Sequence, residues 1–352
     1  MHRRTVWWLL WQLAYLLRTT AHAGPDEGWN VVLRRHDPSQ KPSGLTRVRV
    51  SIYVRNVRHV DDDGQTYGVQ ITFRQQWNDP RLTHKEDSSS AYSLYRLTNL
   101  TSVWRPDTFF SNEVDGTLHS LTRDNAFVRV TADGDVLMSE RLSLTLACPM
   151  NLRMFPFDRH TCAVRMLSYG YTTNMVEYLW RDVDPMQVSK RYLPADFQLG
   201  EFGSSYCTAR TNTGDYSCIF AEIELRRLWW PYVSQVFLPL TMLCGVAWLT
   251  LWIPHTQMRA TALMFTFSVA AISVHALTES FPKTGYVKMA DYFTWAALAF
   301  ILAAVVELVA VMWLNQQNKN DTAHRTDSRF RLVYPAVYAV FTLTYWLVVI
   351  SA

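Results

Sequence analysis

The chain has 352 residues, a formal net charge of +4 and 49% hydrophobic residues. That length accommodates two domains, and so small a charge gives no support to a nucleic-acid partner. No nucleophile–base pair, metal-ligand set or phosphate-binding loop stands out, so an enzyme is disfavoured and no cofactor or metal is expected.

The first segment reads as a signal peptide over 1–23. His2-Arg3-Arg4 gives a basic start, Val6 to Leu17 an apolar run, and Ala21-His22-Ala23 a small-x-small cleavage site. The run is too short to cross ~30 Å of hydrocarbon. Residues 24–228 are then an extracellular domain in a compartment that permits disulfides. From about Trp29 to Arg227 the pattern is β. Val48 to Val54 and Tyr67 to Phe73 alternate apolar and polar residues around the turn-rich Asp61-Asp62-Asp63-Gly64. Further runs at 126–131, 136–144 and 219–225 suggest an antiparallel sandwich. Asn99-Leu100-Thr101 is a glycosylation sequon. Four of the five cysteines, Cys148, Cys162, Cys207 and Cys218, precede the first long apolar run, an even number that suits two disulfides. Without a CxxC pair they do not suggest zinc, and Cys244 reads as a small buried hydrophobe.

Residues 229–352 hold four apolar spans, 232–253, 257–277, 292–314 and 334–352, each near the ~20 residues that a membrane helix needs. A short intracellular connection, 315–333, carries Lys319, Arg325, Arg329 and Arg331, which agrees with both termini lying outside the cell. The second span carries hydroxyls and an imidazole. Helical spacing sets Thr261, Phe265, Ser268, Ile272, His275 and Glu279 on one stripe, which reads as a pore lining or as a helix-packing seam.

Between Cys148 and Cys162 lies Phe155-Pro156-Phe157-Asp158. This stretch resembles the signature loop of the Cys-loop receptors, the pentameric ligand-gated ion channels. The resemblance implies an immunoglobulin-like β-sandwich ectodomain, an all-α four-helix membrane domain and disulfides Cys148–Cys162 and Cys207–Cys218. It also implies a homo- or heteropentamer of related subunits in the lipid of a plasma membrane, including postsynaptic membrane. Thr211-Asn212-Thr213-Gly214 with Tyr216-Ser217-Cys218, Phe73 to Trp77, Trp104 to Phe110 and Met166 to Thr173 are similar to invertebrate glutamate-gated chloride channels. L-glutamate is then the implied agonist and chloride the permeant ion.

The ligand positions implied are Arg55, Arg74 and Ser139 on one subunit face, and Phe109, Ser168, Tyr169, Thr213 and Tyr216 on the adjoining face of the next subunit. The residues alone support part of this. A tight hairpin at 61–64 sets Arg55 and Arg74 nearly opposite each other, which is unfavourable unless an anion sits between them. Phe155, Pro156, Asp158, Arg226, Lys283 and Lys288 are the expected coupling residues between ectodomain and membrane domain. The pore departs from the resemblance. Gln257-Met258-Arg259 replaces Pro-Ala-Arg, and Ser268 stands where a gate leucine is expected, leaving Phe265 and Ile272 as the bulky candidates. Trp295 stands where lactone-sensitive relatives have glycine in the third span, and Val274 replaces a serine that faces the drug in them. The alternative functions are a non-conducting or auxiliary subunit of a heteropentamer, or an anion channel gated by glycine, GABA or histamine.

Overall fold

The computed structural model describes residue 33 and residues 36–83, 95–97, 100–189 and 194–351. The expected signal peptide and the Asn99 sequon lie outside the described residues.

Twelve strands are present among the described residues: β1 (Thr46–Asp61), β2 (Thr66–Asn78), β3 (Tyr95–Leu97), β4 (Thr108–Phe110), β5 (Glu113–Leu118), β6 (Ala126–Val130), β7 (Asp135–Ala147), β8 (Arg159–Ser168), β9 (Val176–Trp180), β10 (Met186–Val188), β11 (Phe197–Thr211) and β12 (Gly214–Arg227). One sheet runs β10-β1-β2-β7-β6-β3, with β5 also on β7 and β9 also on β1, and the second runs β11-β12-β8-β4. Alternation makes the sandwich. Val48, Val50, Ile52 and Val54 of β1 are buried. They face Cys162, Val164 and Met166 of β8 and Ile219, Ala221, Ile223 and Leu225 of β12 in the same core. Each such side chain contributes about 1.5–3 kcal/mol when fully buried. The disulfides Cys148–Cys162 and Cys207–Cys218 both form, with Cα separations of 5.2 and 4.7 Å.

Four helices follow, each long and apolar enough to cross a membrane: α1 (Trp230–Thr250), α2 (Thr256–Ser280), α3 (Met289–Gln316) and α4 (Asn320–Ser351). The chain is thus a multi-pass membrane protein. A π-helical turn interrupts α1 at Val233–Phe237, directly before Pro239. Proline there lacks an N–H and crowds the carbonyl one turn back, so the ladder widens. α3 ends where Asn318 takes a left-handed φ of 57°, a conformation that asparagine tolerates at a helix end.

The fourth helix departs most from its expected bounds. It begins at Asn320, not 334, so most of 315–333 is helical and only residues 317–319 connect α3 to α4. These added turns, about four at 3.6 residues each, are mostly polar, and composition sees only the apolar part of a helix. Trp248 Nε1 donates to Arg331 O at 2.9 Å, and Asp327 pairs with Arg331 one turn on, which holds the polar end against the bundle.

Candidate ligand-binding and coupling sites

The first site begins on the outer face of the larger sheet. Arg74 of β2 lies opposite Ser51 on one side and opposite Ser139 of β7 on the other. Phe127 of β6 is the next neighbour of Ser139. Arg74 is half-buried, and among the described residues no carboxylate pairs with it. Arg55 is not opposite Arg74, contrary to the hairpin expectation. Two irregularities, between Val54 and Asn56 and between Val57 and Val60, put extra residues into β1, and Arg55 is itself a bulge residue. The two arginines therefore sit roughly 12 Å apart along the strand direction. Arg55 Nε donates to Thr72 Oγ1 at 2.7 Å, and its guanidinium lies over the Tyr53 ring at 5.5 Å. Thr72 is on the Arg74 face of β2, so Arg55 leans toward Arg74. Two separated guanidinium groups suit a dianion better than a single carboxylate.

The second group gathers at one end of the smaller sheet. β4 places Phe109 beside Leu167, and the β11–β12 hairpin places Tyr216 against Leu167 and Cys218 with Phe109 packed on them. Phe109 and Tyr169 meet edge to face at 5.4 Å between ring centroids. Tyr169 is 77% exposed, whereas Tyr216 is 9% exposed. Thr213 Oγ1 and Tyr216 Oη share a hydrogen bond of 2.8 Å. Aromatic faces of this kind attract an ammonium group.

The Ser168 side chain points into the protein, which leaves its backbone as the group that it can offer a ligand. Ser168 is 1% exposed, donates to Asp107 Oδ1 at 2.6 Å and accepts from Tyr171 N at 2.8 Å. Its side chain shapes the loop. Asp107 is the residue that sequence reasoning missed as a site element, since it also accepts from Gly170 N at 2.6 Å. The tip of the β11–β12 hairpin is tied to the same loop, because Thr173 N and Oγ1 both donate to Asp215 O at 2.9 and 2.8 Å. Gly214 closes this turn with φ +143°, and a Cβ there would stand 3.0 Å from Thr172 Cγ2.

The two groups lie in different sheets, and among the described residues no hydrogen bond or ring contact joins one group to the other.

A second constellation sits where the ectodomain meets the helices. Phe155 packs on Tyr232 and Phe281 at 5.1 and 5.4 Å, and its carbonyl accepts from Ala290 N at 3.1 Å. Pro156 is buried beside it. Asp158 receives Arg227 Nε at 2.9 Å and Nη2 at 3.1 Å, and it also contacts His160 Nε2. Burial pushes the Asp158 carboxyl up, but hydrogen bonds from His160 and Arg227 and the Arg227 charge outweigh burial and hold it below its usual value of 3.8. Arg227 also reaches Asp62 Oδ1 at 2.8 Å.

Arg226, the arginine expected here, faces the other way and pairs with Glu224 at 2.8 Å. The strand pleat decides this, because from Ile219 onward the buried residues of β12 fall on odd numbers and 227 continues that series. Lys283 takes part through its backbone N–H, which donates to Asp63 Oδ1 at 2.6 Å. Lys288 is buried and pairs with Asp291 at 3.2 Å, capping its own helix. Tyr286, not singled out from sequence, adds a further cross-domain bond, its Oη accepting from Leu152 N at 2.9 Å.

On α2 the expected stripe holds together. Thr261, Phe265, Ser268, Ile272, His275 and Glu279 are all exposed, while Leu263, Thr266, Ala270 and Val274 face the subunit's own bundle. Arg259 is buried at the start of this helix, bound to Glu307 of α3 and to Asp327 of α4 at 2.9 Å.

Comparison with known proteins bears on these sites. Residues 30–229 match the model of the neurotransmitter-gated ion-channel ligand binding domain. A glutamate-gated chloride channel of Drosophila melanogaster is 36% identical over 294 residues, which is 81% of this chain. The match covers 64% of that relative's length.

Proposed function

The chain belongs to the neurotransmitter-gated, or Cys-loop, ion-channel family, and on that premise we propose that it is a subunit of a pentameric chloride channel opened by L-glutamate. The observation that carries the agonist is Arg74. It is a half-buried guanidinium with no carboxylate partner among the described residues, beside the Ser139 hydroxyl, on a face that also carries Arg55. One carboxylate of glutamate binds Arg74 and Ser139, and the other binds Arg55. The ammonium group lies against Tyr169, Tyr216 and Phe109 of the adjoining subunit. The likeness to a relative named as a glutamate-gated chloride channel supports the same reading.

Binding draws the β11–β12 hairpin toward the ligand. The hairpin continues into Arg227, whose pairs with Asp158 and Asp62 join it to the Phe155 loop and the β1–β2 turn. Those two loops contact residues 281–290. Ligand shifts the closed–open equilibrium only by its difference in affinity for the two states. Five copies of the α2 stripe line the pore, and Phe265 and Ile272 form its hydrophobic constriction. The subunit lies in a plasma membrane with both termini outside.

Expression of this chain alone, with whole-cell current recorded during glutamate application, tests the proposal. A glutamate current that reverses at the chloride potential is expected. No current alone, but an altered current with a related subunit, would favour the auxiliary reading, for which Met258 and Ser268 are the supporting departures. Currents to glycine, GABA or histamine and none to glutamate would overturn the agonist.

A further inference from the structure

The segment before β1 docks at the end of the sandwich opposite the helices. β1 begins there at Thr46 and β2 ends there at Asn78, whereas the turn between them carries Asp62 and Asp63 to Arg227 and Lys283. Residues 36–42 lie against the short turn at 79–83. Asp79 is fully buried, and its carboxylate is spent on Arg81, which donates from N and Nε to Oδ1 at 3.1 and 2.9 Å and from Nη2 to Oδ2 at 2.8 Å. Arg81 Nη2 also donates to Gln40 O at 2.9 Å, which ties the segment to the turn. Gly134 closes the other side with φ +82°, where a Cβ would stand 2.5 Å from Asp79 O.

His36 is 8% exposed in this seam, and both of its ring nitrogens are buried without a hydrogen-bond partner among the described residues. Buried polar groups are nearly always paired, because an unpaired one gives up its hydration for nothing. A neutral imidazole gives up one donor and one acceptor. An imidazolium would bring two donors and a full charge. The charged groups that act on the ring are Arg81 and Asp79 of the turn and Asp37 of its own segment. Asp79 is already engaged, and Asp37 is exposed and accepts from Ser39 N and Oγ. Lys41 is turned to the carbonyls of Pro42 and Gly44. Burial, and then the Arg81 charge, hold the ring below its ordinary value of 6.5.

We propose that His36 is a proton-operated latch: as a neutral ring it lets residues 36–42 stay docked on the 79–83 turn, and as a cation it forces them off. A ring held neutral by docking and free to protonate after release binds more protons in the released state. Docking is therefore whole above pH 6.5 and weakens as the pH falls below that value, down to the depressed docked value. The latch does not rest on the agonist reading, and its test reads no current.

Amide hydrogen exchange of the purified, detergent-solubilised assembly, followed by mass spectrometry over residues 37–44 and corrected for the intrinsic effect of pH, tests this. Wild-type protection is expected to fall roughly tenfold between about pH 7.5 and about pH 5.5, while protection of β2 stays constant. His36→Met, whose pliant apolar side chain fills the seam without titrating, is expected to keep its protection over the same range. His36→Lys, charged throughout, is expected to show the low protection at both pH values. Wild-type protection that does not change with pH overturns the proposal. So does an equal loss in His36→Met, which would assign the acid response to Asp37 or Asp79. If neither variant assembles, the onset of the wild-type loss decides alone. An onset just below pH 6.5 supports the latch, and no loss until the carboxylates titrate, near about pH 4, overturns it.

Discussion

At the scale of single residues, the two arginine pairs separate ligand binding from coupling. Arg74→Ala removes a charge-assisted contact worth about 1.5–3 kcal/mol, so the glutamate concentration for half-maximal current is expected to rise roughly 10- to 100-fold. Surface expression is expected to persist, because Arg74 lies on the outer sheet face. Unchanged dose–response curves would contradict the ligand assignment. Arg227 and Arg226 differ by one position and by their whole environment. Arg227→Ala leaves Asp158 buried without its main partner, a loss of about 3–5 kcal/mol for pairs of this type. Arg226→Ala breaks an exposed, solvent-screened pair, and its loss is expected to be far smaller. Melting of the two purified variants checks the contrast, and equal losses would contradict it. The Asp158 carboxyl is held below its usual value, so its contribution is whole above pH 3.8. It is lost only as the pH falls further, through the depressed folded value. A melting series is therefore expected to show no Asp158-dependent loss between pH 7 and 5. Asp158→Asn provides the reference.

Among the elements, what was legible in the sequence follows from what each pattern encodes. Strand alternation gave the sandwich and both sheets' inner faces, and apolar length gave four helices. The turn closes on Asp61 and Thr66, which alone would set Arg55 opposite Thr72, and the bulges in β1, which leave no trace in that alternation, move it further from Arg74. The choice between Arg226 and Arg227 was readable, since Ile219, Ala221, Ile223 and Leu225 already set the parity. Ser168 was recognised by position, yet its hydroxyl turns inward to Asp107, which no local pattern announces.

Two tests belong to this scale. Gly214→Val strains a turn at φ +143° and crowds Thr172, so the hairpin tip cannot keep its seat on the 168–173 loop. A several-fold loss of glutamate sensitivity is expected in dose–response measurements, with the Cys207–Cys218 disulfide intact. On α3, Trp295 is 54% exposed and projects from the bundle, whereas Val274 is 8% exposed and packs inside it. The steric argument against macrocyclic lactones therefore rests on Trp295 alone. Ivermectin is expected to evoke no sustained current from the wild type, and Trp295→Gly to restore sensitivity. A large wild-type current would show an open groove.

The whole molecule is organised by surfaces that a single copy leaves unsatisfied. Tyr169 and the arginine face belong to opposite sheets, and the α2 stripe turns away from its own bundle. In the proposed pentamer the stripe meets water at the axis. Cysteines introduced at Ser268 and Ile272 are expected to react with a water-soluble thiol reagent applied during glutamate exposure. Cysteines at Leu263 and Ala270 are expected to stay protected. The reverse pattern would place another helix at the axis.

The burial of Arg259 has a consequence for how ions are chosen. Its charge is answered by Glu307 and Asp327 behind the helix, so the inner mouth of the proposed pore would not present a ring of five guanidinium groups. What does face that mouth is the start of α2, where peptide N–H groups without intrahelical partners carry about half a positive charge per helix. If the proposed channel prefers chloride, that preference would then be a property of backbone orientation at the start of α2, and only indirectly of a basic side chain.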